Sequence, residues 1–391
     1  MSERREKLLA AADGATPKYR RLALTLHENP EIGLQEVKAA MWISEALETE
    51  GFAVERGVAD LPTAFVARWG EVGARPVIAF LAEYDALPEL GHACGHNLIA
   101  GAAALAGVAM TKTISPSDAQ IRVIGCPAEE TYGGKAQLVD RGLFGDVDVA
   151  LMNHGFYLHV GGRPASGRKS VVLEFRGKSA HAAGAPERGV NALDALLLTF
   201  NGISLMRQQL RDEARVHGII THGGEAANII PDYTRGEFYV RAFDVEYLEE
   251  LEGRLIACAR GAAEATGTDL TVSAATLTML PIRHNTTLER RYEDKVRSLG
   301  APVCEEPPGG GAGSTDFGNV SQVVPAAHAY FQVSEARVGA HTIEFGLAAK
   351  SEQGLAGMVI GAKALALTAL DLIDEPDLLK RVRCEFKEGA Q

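Results

Sequence analysis

The chain has 391 residues, of which 46% are hydrophobic and 23% are charged. This composition is typical of a folded globular protein with room for two or more domains, and it excludes a mainly disordered chain. The net charge of −12 comes from 39 basic and 51 acidic residues, and no basic run offsets it. We therefore expect neither a nucleic acid partner nor an anionic membrane surface as a partner.

The cysteine pattern and the N-terminal residues bear on the compartment. Five cysteines, an odd number, are scattered along the chain at positions 94, 126, 258, 304 and 384. Such spacing fits a reducing cytoplasm better than a disulfide framework. The first seven residues are mixed in charge, unlike a signal sequence, and no run of about 18 apolar residues predicts a membrane span. We expect a cytoplasmic protein.

The first part of the chain predicts helices that alternate with short buried strands. Residues 18–51 have apolar side chains at helical spacing, and a turn with Pro30 and Gly33 divides them into two helices. Apolar runs then predict strands at 76–81, 121–126 and 147–152, with an alanine-rich helix at 98–111. This alternation predicts an α/β fold with a helix-flanked sheet, in which functional loops lie at the strand ends.

The pattern changes near residue 168. Strands are predicted at 170–175, 216–221, 234–242 and 270–275, and helices at 190–211 and 245–266. This βαββαβ order is typical of a compact α+β module. Helical patterns resume after residue 281, at 285–299 and 355–373. We therefore predict a discontinuous domain of residues 1–166 and 281–391, with an inserted domain of residues 167–280.

A glycine-rich loop at residues 91–97 reads Gly-His-Ala-Cys-Gly-His-Asn. Cys94 and His96 can both deliver metal ligands to one point, and Gly95 between them lets the backbone turn tightly. Taken alone, a cysteine and a histidine are more often packing residues than ligands. The loop by itself therefore leaves both interpretations open.

Acids and histidines recur where the predicted strands end. Asp85 follows the first of these strands, the pair Glu129 and Glu130 follows the second, and His154 follows the third. Strand ends on one edge of an α/β sheet share a crevice, so these side chains can meet in space. Each has a plainer interpretation, because acidic pairs are usually solvated and single histidines often lie in the core.

Taken together, these positions predict a hydrolytic site with two metal ions. The donors are sulfur, nitrogen and oxygen atoms, and they belong to Cys94, His96, Glu130, His154 and His341. Such a site still needs a base to carry a proton from water to the leaving nitrogen, and Glu129 suits that role. Asp85 is placed to orient a ligand.

The inserted module adds three polar candidates. His181 lies in a turn of small residues after a strand, where it could donate to a developing oxyanion. Asn228 and Arg241 could recognise a carboxylate, although spacing alone favours Arg241 as an exposed strand cation. The chain has no Gly-x-Ser-x-Gly elbow, and its glycine run at 309–313 lacks the lysine of a phosphate loop.

Ordered motifs over roughly 300 residues carry a family resemblance. They are His27-x-x-Pro30-Glu31-x-Gly33-x-Gln35-Glu36, Asp85-Ala86-Leu87-Pro88, His92-Ala93-Cys94-Gly95-His96, Pro127-Ala128-Glu129-Glu130, Gly177-Lys178-Ser179-Ala180-His181-Ala182, Asn228-x-Ile230-Pro231-Asp232, Gly313-Ser314-Thr315-Asp316 and His341-Thr342-x-Glu344-Phe345. With them the chain resembles the aminoacylase/carboxypeptidase family of metal-dependent amidohydrolases. The branch is that of hippurate, indoleacetyl-amino-acid and aminobenzoyl-glutamate hydrolases.

The resemblance implies a catalytic domain with two divalent ions, zinc or manganese, and an inserted lid that mediates a homodimer. It places the metal ligands on Cys94, His96, Glu130, His154 and His341, and the general base on Glu129. It also implies that His181 reaches the active site of the partner subunit. The expected reaction is hydrolysis of an amide bond in a small N-acyl amino acid or dipeptide-like substrate.

Two departures from the family pattern concern the substrate rather than the ligands. Where relatives read Arg-Ala-Asp-Met-Asp-Ala-Leu-Pro, this chain has Glu83 and Tyr84, a longer acid and a bulky aromatic residue. Where many relatives have aspartate after the second histidine, this chain has Asn97, as in the aminobenzoyl-glutamate and dipeptidase-like members. The acyl group and the amino acid therefore stay open.

Three alternatives to amide hydrolysis by a metal site stay in view. A hydrolytic deaminase could use the same site on an aryl amine or amidine. A metal-binding scaffold without catalysis is disfavoured by Glu129, since a structural site needs no free base. An amidase with Cys94 as nucleophile is disfavoured because a thiolate committed to metal cannot attack.

Overall fold

The structure is a computed structural model that describes residues 2–304 and 313–389. The chain divides into two compact units, the first over Met1–Pro164, Arg283–Ala312 and Asp316–Gln391, the second over Ala165–Ile282 and Gly313–Thr315. Apart from Gly313, the glycine run at 309–313 lies outside the described residues.

The secondary structure of the described residues comprises ten strands and eleven α-helices. The strands are β1 (Ala53–Arg56), β2 (Phe65–Trp69), β3 (Val77–Glu83), β4 (Gln120–Cys126), β5 (Val149–Phe156), β6 (Gly167–Arg176), β7 (Arg215–His222), β8 (Tyr233–Ala242), β9 (Asp269–Ser273) and β10 (Ala326–Gln332). The helices are α1 (Ser2–Glu28), α2 (Val37–Glu48), α3 (His96–Thr111), α4 (Gly134–Asp140), α5 (Ala192–Met206), α6 (Val245–Thr266), α7 (Thr286–Ser298), α8 (Phe317–Val323), α9 (Ile343–Ala348), α10 (Glu352–Asp374) and α11 (Pro376–Glu388).

The first unit is built on a six-stranded mixed sheet in the order β1-β2-β4-β3-β5-β10. Strands β4, β3, β5 and β10 are parallel to one another, β2 pairs antiparallel with β4, and β1 pairs antiparallel with β2. The chain leaves β3 for β4 on one side and then crosses to β5 on the other. A crevice therefore opens at the carboxyl end of β3, where α/β sheets bind ligands. The predicted α/β class is confirmed.

One face of this sheet carries the apolar core. Ile78, Phe80 and Ala82 of β3 are fully buried there, in one cluster with side chains of α1, α3 and α10. Every residue of α3 is buried, which explains its alanine-rich and nearly uniform sequence. Helix α1 begins at Ser2, well before the predicted start at 18, because Leu8 and Ala12 join the same cluster.

Two strands run further than the sequence predicts. We expected strands to end at residues 81 and 152, but β3 continues to Glu83 and β5 to Phe156. In both strands the run of apolar residues stops at a polar side chain, but the strand continues past that residue. Glu83 and His154 therefore project from strands rather than from loops, which fixes their direction more tightly.

The second unit has a four-stranded antiparallel sheet in the order β7-β8-β6-β9. Burial alternates along β8, because α5 and α6 cover only one face. The predicted βαββαβ order is confirmed. The two ends of the unit are paired with each other, since the backbone of Arg168 exchanges hydrogen bonds of 2.7 and 3.0 Å with Met279, and Ile282 N donates to Ala165 O at 3.2 Å.

One helix of the described residues, α10, is long and apolar enough to cross a membrane. Its most apolar window is 67% buried within the fold. A core helix of a globular protein has the same properties, so this helix is explained by its packing on α3 and α7.

Candidate metal centre

The candidate site lies at the carboxyl end of β3, where the switch in strand order opens the sheet. Glu83 ends β3, Asp85 follows it, and His154 lies near the end of the neighbouring β5. The loop after β4 brings Glu129 and Glu130 to the same edge. Segments that are distant in sequence thus meet because parallel strands end together.

The backbone of the loop before α3 requires glycine at Gly95. This residue caps α3 with φ at +80°, a left-handed conformation that glycine adopts without strain. A side chain there would also press on Phe345, whose ring carbon would lie 3.1 Å from the added Cβ. The turn sets Cys94 Sγ 3.4 Å from His154 Nε2.

Two histidines of the site, the buried His96 and the partly exposed His154, present the same nitrogen to its centre. His96 Nδ1 lies 2.9 Å from Asp85 Oδ1, and His154 Nδ1 lies 2.8 Å from Gly155 O. These contacts place a proton on Nδ1 of each ring, so Nε2 is the nitrogen that a metal ion would take. His96 Nε2 is buried without a hydrogen-bond partner. Asp85 also accepts a bond from Glu130 N at 3.0 Å and so joins two ligand loops.

Glu130 and His341 form the outer side of the site. Glu130 Oε1 lies 3.2 Å from Nε2 of His341, which is half-exposed, and 3.9 Å from His96 Nε2. Burial works against ionisation of Glu130, but the hydrogen bond from His341 and the charges of both histidines prevail and lower its pKa to about 2. His341 itself has φ at +64°, a left-handed conformation that is strained for a residue with a side chain.

Four groups of potential donor atoms lie in this region; one joins Glu129 to His96 and Glu130, and two that overlap consist of predicted ligands alone. Cys94, His96 and His154 make one, Cys94, Glu130 and His341 make the other, and within each group all donor atoms lie within 4.8 Å of one another. The structure thus brings the five predicted ligands together, with Cys94 in both groups. Sulfur, imidazole and carboxylate donors with an orphaned buried nitrogen fit transition-metal ions. A core of apolar contacts would not leave that nitrogen unpartnered.

Glu129 lies between the ligands and a second group of acids. It is 8% exposed, and its donor oxygen is within 4.8 Å of those of Glu83 and Asp316. Burial raises its pKa well above the usual value, and the charges of Glu83 and Asp316 add to that effect. Ala128, just before it, has φ at +57°, and its N–H donates to Glu36 Oε1 at 2.7 Å. This strained turn directs the two adjacent glutamates to different partners.

The sequence interpretation missed three buried charged residues around the site: Glu36, Lys135 and Asp316. Lys135 is fully buried in α4, with its Nζ 2.5 Å from both Glu83 Oε1 and Asp316 Oδ1. Glu36 and Asp316 each end a motif of the family resemblance, which was a usable signal. Lys135 offered none, because a single lysine after two glycines reads as a surface residue.

The second unit holds the remaining predicted residues. His181 is exposed, and its Nδ1 accepts bonds from Ala183 N at 3.2 Å and Gly184 N at 3.0 Å. The ring proton therefore sits on Nε2, which is free to donate. Ala182 N donates to Asn228 O at 3.0 Å, so the loops of His181 and Asn228 lie side by side.

Arg241 lies on the open face of the second sheet and is half-buried. Its strand partners are Arg168 on β6 and Arg215 on β7, so three cations stand in one row. Burial lowers the pKa of Arg241, and the charge of Arg168 lowers it further. Its guanidinium donates to Ser314 Oγ at 2.8 Å. Like charges placed directly opposite are unfavourable, so this row favours an anion.

Comparison with known sequences gives long matches. Residues 165–266 match the family described as a peptidase dimerisation domain. A Xaa-Arg dipeptidase of Mus musculus is 40% identical over 389 residues, which cover 96% of this chain and 90% of the relative. A p-aminobenzoyl-glutamate hydrolase chain of Escherichia coli is 32% identical over 315 residues, which cover 75% of this chain and 64% of the relative.

Two solved structures show the same fold at low sequence identity. A putative aminohydrolase from methicillin-resistant Staphylococcus aureus has a TM-score of 0.78 at 20% identity, covering 94% of this chain and 99% of that one. A dinuclear metal binding peptidase from the M20 family, from Bacillus subtilis, has a TM-score of 0.66 at 19% identity, covering 91% and 99%.

Proposed function

The chain belongs to the M20 peptidase family, and from that premise we propose that it is a dipeptidase that works with two divalent ions. It is a hydrolase of amide bonds. The proposed ligands are Cys94, His96, Glu130, His154 and His341, and the proposed general base is Glu129.

One observation carries this proposal: a buried carboxylate with a raised pKa stands beside two overlapping groups of metal donors. A purely structural site needs closed coordination and no free base. The arrangement around Glu129 suits a hydrolase of amide bonds, because the leaving nitrogen must receive a proton as the bond breaks.

Each residue has a definite task in this proposal. The bound ions would lower the pKa of a water molecule and polarise the amide carbonyl. Glu129 takes the proton of the water and delivers it to the leaving nitrogen. Asp85 holds His96 in the tautomer that leaves Nε2 free, at 2.9 Å from Nδ1. Glu130, ionised because its pKa is near 2, keeps its carboxylate available as a donor.

For the substrate we propose a dipeptide with a basic C-terminal residue. The support is the name of the relative at 40% identity, which covers nearly the whole chain. Asn228 and Arg241 are the proposed contacts of the substrate carboxylate, since the arginine row on the second sheet favours an anion. His181, with its Nε2 free to donate, is the proposed donor to the oxyanion.

We further propose a cytoplasmic homodimer that uses zinc or manganese. Supporting the dimer are the match to a peptidase dimerisation domain and exposed apolar side chains on the second unit, among them Leu205 at 80% and Ile219 at 63%. In that dimer His181 would serve the active site of the partner. Sulfur and imidazole donors fit zinc, and the carboxylate also suits manganese.

The test combines metal analysis with a substrate panel. Purified protein should carry two equivalents of zinc or manganese and should hydrolyse Xaa-Arg and Xaa-Lys dipeptides faster than N-acetyl amino acids, hippurate or p-aminobenzoyl-glutamate. A chelator should abolish turnover, and zinc or manganese should restore it. Turnover that persists without metal would point to Cys94 as a nucleophile, and release of ammonia from aryl amines alone would replace the proposal with a deaminase.

A further inference from the structure

Glu83 is a buried acid that the proposed mechanism does not use. Its side chain is 1% exposed at the end of β3. One carboxylate oxygen, Oε1, lies 2.5 Å from Lys135 Nζ, whereas the other, Oε2, has no hydrogen-bond partner. A buried carboxylate oxygen without a partner is costly, so something is expected to satisfy it.

The free oxygen of Glu83 points at the free nitrogen of a proposed ligand. Glu83 Oε2 lies 3.4 Å from His96 Nε2, and that nitrogen is also buried without a partner. The other nitrogen of His96 already bonds Asp85. Two donors bonded at about 2.1 Å to one tetrahedral ion lie about 3.4 Å apart. The pair therefore has the separation of two ligands of the same ion.

The sheet register relates Glu83 to a second proposed ligand, His154. Strand β3 pairs with β5 from Ile78 opposite Val149 to Phe80 opposite Leu151, and Glu83 and His154 each lie three residues beyond the last of these pairs. Because side chains alternate along a strand, equal offsets from a shared pair put both side chains on the same face of the sheet.

The charges around Lys135 do not balance, because two carboxylates, those of Glu83 and Asp316, face one ammonium group. Asp316 accepts from both Lys135 Nζ and Lys135 N, at 2.5 and 2.7 Å, so this aspartate alone neutralises the ammonium. Glu83 is then a second fully buried carboxylate beside one cation. A second positive charge on the side of His96 would balance it.

We propose that Glu83 is a sixth donor of the metal centre, bound through Oε2 to the ion held by His96, with Lys135 fixing its orientation. This inference rests on the metal centre of the proposed function.

The test compares Glu83→Asp and Glu83→Gln with the wild type, with Lys363→Met as a matched control. Lys363 forms a surface ion pair with Asp13, far in sequence from the site. Metal content is measured after dialysis against a competing chelator, and the cobalt-loaded proteins are compared by visible absorption, which reports the number and kind of donors.

The wild type and Lys363→Met should retain two equivalents with one cobalt spectrum. Glu83→Asp, which keeps the charge and withdraws the oxygen, should bind one of its two ions at least tenfold more weakly and show a changed spectrum. Glu83→Gln should do the same. Because Glu83→Asp keeps the negative charge beside Lys135, it is the less disruptive of the two variants, and circular dichroism checks that each variant is folded.

An unchanged cobalt spectrum in a folded Glu83→Asp protein would overturn the inference, whether or not its affinity falls, since an outer partner of His96 changes affinity without changing the donors. That result leaves the proposed function intact. A wild type that binds no metal would instead refute the proposed function itself, so the two failures are distinguishable.

Discussion

The two faces of the first sheet differ although the same strands supply both. On one face of β3 lie Phe80 and Ala82, fully buried against helices of the apolar core. On the other lie Leu81 and Glu83, and the helices α4 and α8 bring Lys135 and Asp316 to them. Leu81 and Glu83 are as buried as Phe80 and Ala82, yet one face is held by apolar packing and the other carries buried charges.

The difference shows how a fold separates stability from chemistry. The hydrophobic effect has no directional requirement, so the core face tolerates substitution by apolar side chains of similar volume. Buried charges need particular partners at particular distances, so the charged face constrains every residue that contacts it. Because successive side chains of a strand point to opposite faces, one strand can supply apolar side chains to the core and charged side chains to the other face.

The largest effect should come from the charged face, at Glu129. Glu129→Gln removes the proton carrier and keeps the shape, so kcat should fall by about 10² to 10⁴. Metal content and thermal stability should stay near those of the wild type, because Glu129 is not among the proposed ligands. A fall of only a few-fold in steady-state kcat would contradict the role of Glu129 as the base.

The next effect should come from Lys135, and it should fall on stability. Lys135→Met strands the buried carboxylates of Glu83 and Asp316, and the free energy of unfolding should drop by about 3 to 5 kcal/mol in urea denaturation. The matched control Lys363→Met breaks an exposed pair and should cost at most about 1 kcal/mol. Equal costs for the two lysines would mean that burial of charge does not distinguish the faces.

His159 is buried away from the acids and Lys135 of the charged face. It tests whether burial of a single histidine, without charged partners, is enough to make the protein less stable in acid. Burial lowers the pKa of His159 to about 4, against about 6.5 in an unfolded chain. The unfolded chain therefore binds more protons between pH 6.5 and 4, and stability contributed by neutral His159 is lost as pH falls through that range. The loss should be on the order of 3 kcal/mol.

The measurement is urea denaturation of the metal-free protein at pH 7 and pH 4. His159→Gln should show a smaller loss between the two pH values than the wild type, because glutamine does not titrate. Parallel losses in both proteins would assign the acid sensitivity to other groups, such as the paired carboxylates.

The smallest effect should come from the core face. Ile78→Val removes one buried methyl group and should cost about 0.5 to 1.5 kcal/mol in free energy of unfolding. Metal content and kcat should match the wild type, since packing on this face does not direct the donors. A change in metal affinity would show that the two faces are coupled.

Sequence reasoning reached the α/β class and the βαββαβ module because hydrophobic periodicity depends only on neighbouring residues. It also singled out the five donors, which the structure brings to one place. It missed Lys135, Glu36 and their contacts, because a buried charge is defined by partners far away in the chain. Asp316, for instance, lies 181 positions from Lys135.

The ends of strands were predicted least accurately, also because they depend on residues that are distant in the chain. The apolar run of β5 stops near Met152, yet the strand continues through His154 to Phe156, paired with β10. A parallel partner more than 170 residues downstream satisfies that backbone, and no local pattern reveals it. The prediction of a domain division and the assigned roles of His181, Asn228 and Arg241 stay predictions.

The paired ends of the second unit have a consequence for how such a chain could arise and be rebuilt. Because Arg168 and Met279 are hydrogen-bonded neighbours, the module enters and leaves through adjacent strands. An element with adjoining ends can be inserted into, or removed from, a single loop of a host without stretching the host backbone. We therefore expect residues 165–282 to tolerate exchange between relatives and expression as a separate polypeptide.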